Sequence, residues 1–175
     1  MNTIWIVDDN SETRHDIEQW IEKRIRRSLG AGQWATVADC ENPAEALAAL
    51  KRLSAEDRSA VKAAVFDLYA PALGPAQPNR AVSDTEEFQQ TVVKAVELIG
   101  DVQKLGVKIV IYTLVFKYCE EKALRSVYDA VKSAIERSDI KFETQVVHKT
   151  ESSDNDLERV WGALQRQTAA LLDSK

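Results

Sequence analysis

The sequence predicts an α/β domain built on a parallel sheet with helices on both faces. Three observations carry this expectation. The short apolar runs Ile4-Trp5-Ile6-Val7, Ala63-Ala64-Val65-Phe66 and Ile109-Val110-Ile111-Tyr112 read as strands buried on both faces. Segments with apolar residues at helical spacing alternate with them, the pattern of right-handed crossovers in a parallel sheet. Polar residues stand where the runs end, at Asp8-Asp9, Asp67, Thr113 and Lys149. Open parallel sheets place their ligand crevice at that edge.

The elements follow in order. Strand 1 covers about Thr3 to Val7. Helix 1 runs from near Ser11 to Leu29 on the stripe Ile17, Trp20, Ile21, Ile25, and Gly30 and Gly32 end it. Strand 2 is Trp34 to Asp39. Helix 2 opens at Asn42-Pro43-Ala44-Glu45, with a cap residue, proline at the first helical position and glutamate three after the cap. Strand 3 is Ala63 to Phe66. The stretch 71–82 holds Pro71, Gly74, Pro75 and Pro78 and reads as a mobile loop. Helix 3 starts at Ser83, buries Phe88, Val92, Val96, Ile99 and Val102, and stops before Gly106. Strand 4 is Val107 to Tyr112, helix 4 roughly Lys117 to Arg137, and strand 5 about Phe142 to His148. Helix 5 runs from near Ser153 to Leu172 with Leu157, Trp161, Leu164, Thr168 and Leu171 on one face. Core packing explains that stripe first. Five strands and five helices fit a flavodoxin-like sheet of order 2-1-3-4-5, in which strands 1 and 3 are neighbours.

The 175 residues fit one domain, 1–175, with its core within 3–172. The net charge of -5 disfavours nucleic acid or an anionic membrane as main partner. No apolar run has the length of a membrane span. Cys40 and Cys119 form no metal or redox pattern, and the first residues carry no secretory signal, so a cytoplasmic location is expected.

The predicted strand order gathers Asp8, Asp9 and Asp67, with Thr113 and Lys149 beside them. Three ionised carboxylates in one cleft repel, and at least one should have a raised pKa. Mg2+ resolves the conflict, since it is hard and takes carboxylate and phosphoryl oxygens. Lys149 adds a point charge suited to phosphate, and Thr113 can donate to a phosphoryl oxygen. Asp8 and Asp9 have a plainer reading as caps of helix 1. His148 reads as a packed histidine and His15 as a surface one. Lys23-Arg24 and Arg26-Arg27 read as a solvated face.

The chain resembles the response-regulator receiver domains of two-component signalling. The resemblance rests on Ile6-Val7-Asp8-Asp9-Asn10, Val65-Phe66-Asp67-Leu68-Tyr69-Ala70-Pro71, Tyr112-Thr113 and His148-Lys149-Thr150. It implies that Asp67 accepts a phosphoryl group from a histidine kinase or phosphotransfer protein. Asp8, Asp9, Asp67 and the backbone carbonyl of Tyr69 would hold Mg2+. Lys149 would pair with Asp67 and then with the phosphoryl group, and Thr113 would move toward it. The output would be a downstream protein partner bound through the strand 4/helix 4/strand 5 surface; the sharper alternative for the helix 5 stripe is a homodimer face formed with strand 5 and helix 4. Such a protein is a switch rather than an enzyme. Receivers usually have a small residue, an aromatic and a proline where Leu114, Val146 and Thr150 stand here. A receiver-like interaction module independent of phosphorylation is therefore the alternative. A Mg-dependent aspartyl phosphohydrolase is the less favoured one, because Asn10, Ser11 and Tyr69 stand where its second carboxylate would be needed.

Overall fold

The structure, a computed structural model, describes residues 1–28, 32–68, 82–150 and 153–172. Its strands are β1 (Asn2–Val7), β2 (Trp34–Cys40), β3 (Val61–Phe66), β4 (Lys108–Thr113) and β5 (Val146–His148). They form one sheet in the order β2-β1-β3-β4-β5, and every pairing is parallel. The described helices are α1 (Ser11–Ser28), α2 (Pro43–Arg52), α3 (Ala55–Ala60), α4 (Val82–Lys104), α5 (Val115–Glu121), α6 (Arg125–Arg137), α7 (Phe142–Gln145) and α8 (Ser153–Leu172). This is the flavodoxin-like arrangement the sequence predicts. Among the described residues, no helix is long and apolar enough to cross a membrane.

Strand side chains alternate between the two faces. Trp5, Val7, Ala64, Phe66, Ile109 and Ile111 pack under α2, α4, α5 and α6. Ile4, Ile6, Ala63, Val65, Val110 and Tyr112 pack under α1 and α8. The α4 stripe of Phe88, Val92, Val96, Ile99 and Val102 is buried throughout. So are Leu157, Trp161, Leu164 and Thr168 of α8, which makes that stripe core; the side chain of Leu171 lies outside the described residues. Each such apolar side chain contributes ~1.5–3 kcal/mol by leaving water. The basic run on α1 is not wholly a solvated face: Arg24 pairs with Glu158 of α8 and lies 4.7 Å from the centroid of the Trp20 ring.

Local chemistry sets the ends of α2. The Asn42 side chain accepts the Glu45 N–H at 3.0 Å, and Glu45 reaches back to the Glu41 N–H at 2.9 Å. Asn42→Ala leaves that helix-end donor without its partner. The expected cost is ~1 kcal/mol, read as a lower urea midpoint with an unchanged slope.

Three elements differ from the sequence reading. A short α3 follows α2, capped by Ser54, whose hydroxyl accepts the Asp57 N–H. The single helix expected over 117–137 is two, α5 and α6. The chain turns at Ala123, which has φ 53, and Leu124 N–H closes back onto the Cys119 carbonyl at 2.8 Å. That is a left-handed helix stop, made here without glycine. Strand β5 begins only at Val146, because residues 142–145 form the helical turn α7. Buried Gln145 replaces the missing ladder there: its amide donates to the Ile109 carbonyl at 3.0 Å, and its oxygen accepts the Lys141 N–H at 2.8 Å. An edge carbonyl that a longer strand would pair is thus satisfied by a side chain.

Candidate functional site

Register brings the predicted residues together. Val7 of β1 pairs with Phe66 of β3, so Asp8 and Asp67 leave the sheet side by side. The Asp67 N–H donates to the Val7 carbonyl at 2.9 Å, extending the ladder by one step. Thr113 ends β4 opposite His148, and the Lys149 N–H donates to the Thr113 carbonyl at 2.9 Å. Asp8, Asp67, Thr113 and Lys149 therefore occupy one sheet edge.

The Lys149 ammonium lies 3.0 Å from Asp67 Oδ2 and 3.2 Å from Asp8 Oδ2. Asp8 is 3 % exposed, and its Oδ1 accepts the Asn10 N–H at 2.9 Å. Asn10, rather than either aspartate, serves as the cap of α1: its side-chain oxygen accepts the N–H groups of Glu12 and Thr13, each at 3.0 Å. The capping explanation for Asp8 and Asp9 is therefore not needed. Arg14 donates to the Asp8 carbonyl and fixes the turn into α1.

Asp67 is the perturbed group. Burial pushes its pKa up to about 6; Lys149 opposes the shift and Asp8 adds to it. This is the conflict expected of a crowded carboxylate cleft. The Lys149 ammonium stays charged: burial works against it, but Asp67 and Asp8 hold its pKa above the ordinary value. Thr113 is buried, and its hydroxyl accepts the Val115 N–H at 3.2 Å. Its own proton remains to favour an ionised Asp67. Leu114, the residue after Thr113, is 43 % exposed.

The donor set fits a hard divalent cation. Asp8, Asp9 and Asp67 each offer one oxygen, all within 4.8 Å of one another. Asp67 Oδ1 is buried and has no hydrogen-bond partner among the described residues. An acceptor left this way costs roughly 1–3 kcal/mol, more when charged, and a cation would remove that cost. The carbonyl of Tyr69, expected as a further ligand, lies outside the described residues, as do residues 71–81 of the loop expected over 71–82; Val82 already begins α4.

His148 is half-buried, with its ring tilted against Phe116 (centroids 5.2 Å apart) and edge-on to Phe142 (5.7 Å). Burial, and then Arg159, hold its pKa below the ordinary value. His15 is exposed on α1 and touches Gln19. Both match the plain readings of the sequence.

Two further residues, Tyr112 and Asp156, stand at this edge. The Lys149 ammonium sits 4.9 Å from the centroid of the Tyr112 ring. The Tyr112 hydroxyl lies 3.5 Å from Asp156 Oδ2. Tyr112 reads in sequence as the last apolar residue of a strand, and Asp156 as an ordinary acid in the first turn of a helix. Nothing in the linear pattern separates them from those roles.

No protein-family model, curated protein or solved structure matches this chain.

Proposed function

We propose that the protein is a phospho-accepting signalling switch of the receiver type, with Asp67 as acceptor. The observation that supports it most is the Lys149 ammonium bridging Asp8 and Asp67, with Asp9 close enough to share a cation. Three carboxylates against one ammonium leave an excess of negative charge, which suits a site completed by a divalent metal and an incoming phosphoryl group. Asp8, Asp9 and Asp67 would hold Mg2+, which supplies charge neutralisation for the phosphoryl oxygens.

The chain's own groups account for the rest. A carboxylate oxygen of Asp67 forms the new P–O bond while the P–N bond of a donor phosphohistidine breaks. The electron pair of that bond stays on the donor nitrogen, and the product is an acyl phosphate. Lys149 offers a positive charge 3.0 Å from Asp67 Oδ2, beside the atom where negative charge gathers. Thr113 has a proton to donate from the neighbouring strand. Fully inverting a two-state surface needs about 5.5 kcal/mol, whereas one charge-assisted hydrogen bond gives ~1.5–3 kcal/mol. Thr113 alone is therefore too weak a lever, and the Lys149 contact must contribute to any switch. The partners follow from this reading: a histidine kinase or phosphotransfer protein as donor, and a protein that recognises the modified edge.

The test is incubation with acetyl phosphate and Mg2+, followed by intact mass. Wild type should gain one phosphoryl group; Asp67→Ala, or wild type with excess chelator, should gain none. Equal incorporation into Asp67→Ala would overturn the assignment. No incorporation and no Mg2+ binding by wild type would favour the phosphorylation-independent interaction module instead.

A further inference from the structure

We propose that Asp156 is a positioning residue for Lys149: by holding Thr150 and Tyr112 it fixes the ammonium between Asp8 and Asp67. The proposal deepens the phosphoryl-site reading and, for its consequence on anion binding, rests on it.

Asp156 is 0 % exposed, although it lies in the first turn of α8. Interaction with the helix dipole would explain an acid there at the surface. It does not explain a carboxylate withdrawn from water, which costs several kcal/mol unless partners replace the solvent. Those partners cluster around Lys149. One carboxylate oxygen accepts the Thr150 backbone N–H, and the other accepts the Thr150 hydroxyl at 2.9 Å. Thr150 is the residue directly after Lys149, so this clamp fixes the backbone from which the lysine extends. The Tyr112 hydroxyl faces the same carboxylate at 3.5 Å. The Tyr112 ring in turn lies against the Lys149 ammonium, 4.9 Å from ring centroid to Nζ. Arg159 approaches from solvent, with Nη1 at 3.5 Å from Oδ1.

The lysine is thus held from three sides. Its backbone N–H is tied to Thr113, the next residue is tied to Asp156, and its head rests on a ring oriented by Asp156. A free lysine side chain carries ~2 kcal/mol of rotamer entropy, and ordering it in advance removes much of that cost from ligand binding. The Tyr112 phenol supports the same role: burial and then Asp156 push its pKa up, so it stays a neutral donor toward the carboxylate.

Asp156→Asn keeps the shape but sets an amide N–H2 against one of the two Thr150 donors. Lysine-selective NMR, with Lys149 assigned through Lys149→Arg, reads the position of the ammonium directly. Titrations with Mg2+ alone and with Mg2+ plus beryllofluoride read the consequence. In Asp156→Asn the ordered Lys149 signal should collapse to that of a mobile lysine. Beryllofluoride affinity should fall about tenfold, the scale of one charge-assisted hydrogen bond, while Mg2+ affinity is unchanged or tighter. Tyr112→Phe should move both readouts the same way by a smaller amount, and it decides the matter if Asp156→Asn does not fold. An unchanged Lys149 signal in both variants overturns the proposal. So does a lowered melting temperature with both affinities reduced alike, the mark of a purely structural residue. If wild type binds neither Mg2+ nor beryllofluoride, the phosphoryl reading fails, and the lysine signal still decides whether Asp156 positions Lys149.

Discussion

Asp67→Asn is expected to remove phosphoryl acceptance and, without a divalent cation, to make the protein more stable at neutral pH. The second effect follows from burial. The Asp67 pKa is about 6 in the folded chain against 3.8 for an unperturbed aspartate, with burial as the first cause. The folded state thus binds the Asp67 proton more tightly than the unfolded state does. Its contribution to stability is fully present below pH 3.8 and is lost as the pH rises through about 6. A gap of about two units corresponds to roughly 3 kcal/mol. Asparagine resembles the protonated form and escapes the loss, so the variant should exceed wild type by ~1–3 kcal/mol at neutral pH. The difference should shrink toward zero as the pH falls to 3.8. Urea unfolding of both proteins across that range checks the sign. A variant less stable than wild type at neutral pH would show that the Lys149 contact outweighs the burial of charge. Mg2+ should narrow the gap from the other side: an ion at one hundred times its Kd adds about 2.7 kcal/mol to whatever binds it, and wild type presents the full set of carboxylates.

The architecture was legible because its signals are local and repeated. Runs such as Ile4-Trp5-Ile6-Val7 can only be buried strands or buried helix pieces, and their length and the polar residue after each favoured strands. Strand order then brought Asp8 and Asp67 together without any side-chain information. The errors lie where side chains far apart in sequence decide the backbone. The stop at Ala123 carries no glycine or proline to announce it, and the stretch 117–137 keeps helical periodicity across the break. Residues 142–145 look like a strand until Gln145 is seen bonded to Ile109, thirty-six positions away. By contrast, α3 was readable: Ser54 followed three residues later by Asp57 is a cap signal. The Asp156 clamp had no linear signature, since its meaning depends on burial.

Phe116→Ala is expected to give the largest loss of stability, ~3–5 kcal/mol. Phe116 is fully buried at the start of α5, with ring centroids 5.0 Å from both Tyr128 and Phe142 and 5.2 Å from His148. The Tyr128 and Phe142 contacts are edge-to-face, and such pairs add ~0.5–1.5 kcal/mol each beyond their burial, so the loss should sit in the upper part of that range. Small domains are stable by ~5–15 kcal/mol, which keeps the variant measurable in urea. Its position gives it a second consequence. Phe116 follows Thr113 by three residues and packs against His148, the residue before Lys149. It therefore braces the ends of β4 and β5 against each other, and those ends carry the two groups that would meet a phosphoryl oxygen. Ile21→Ala is the matched control: Ile21 is equally buried, in the core on the opposite face under α1, with an expected cost of ~2–5 kcal/mol. Measured where both variants remain folded, beryllofluoride affinity should fall in Phe116→Ala and hold in Ile21→Ala. Equal weakening in the two would show that stability alone, rather than the brace between Thr113 and Lys149, sets the binding. Phe116→Leu, which keeps most of the volume but none of the ring contacts, separates lost packing from lost aromatic geometry.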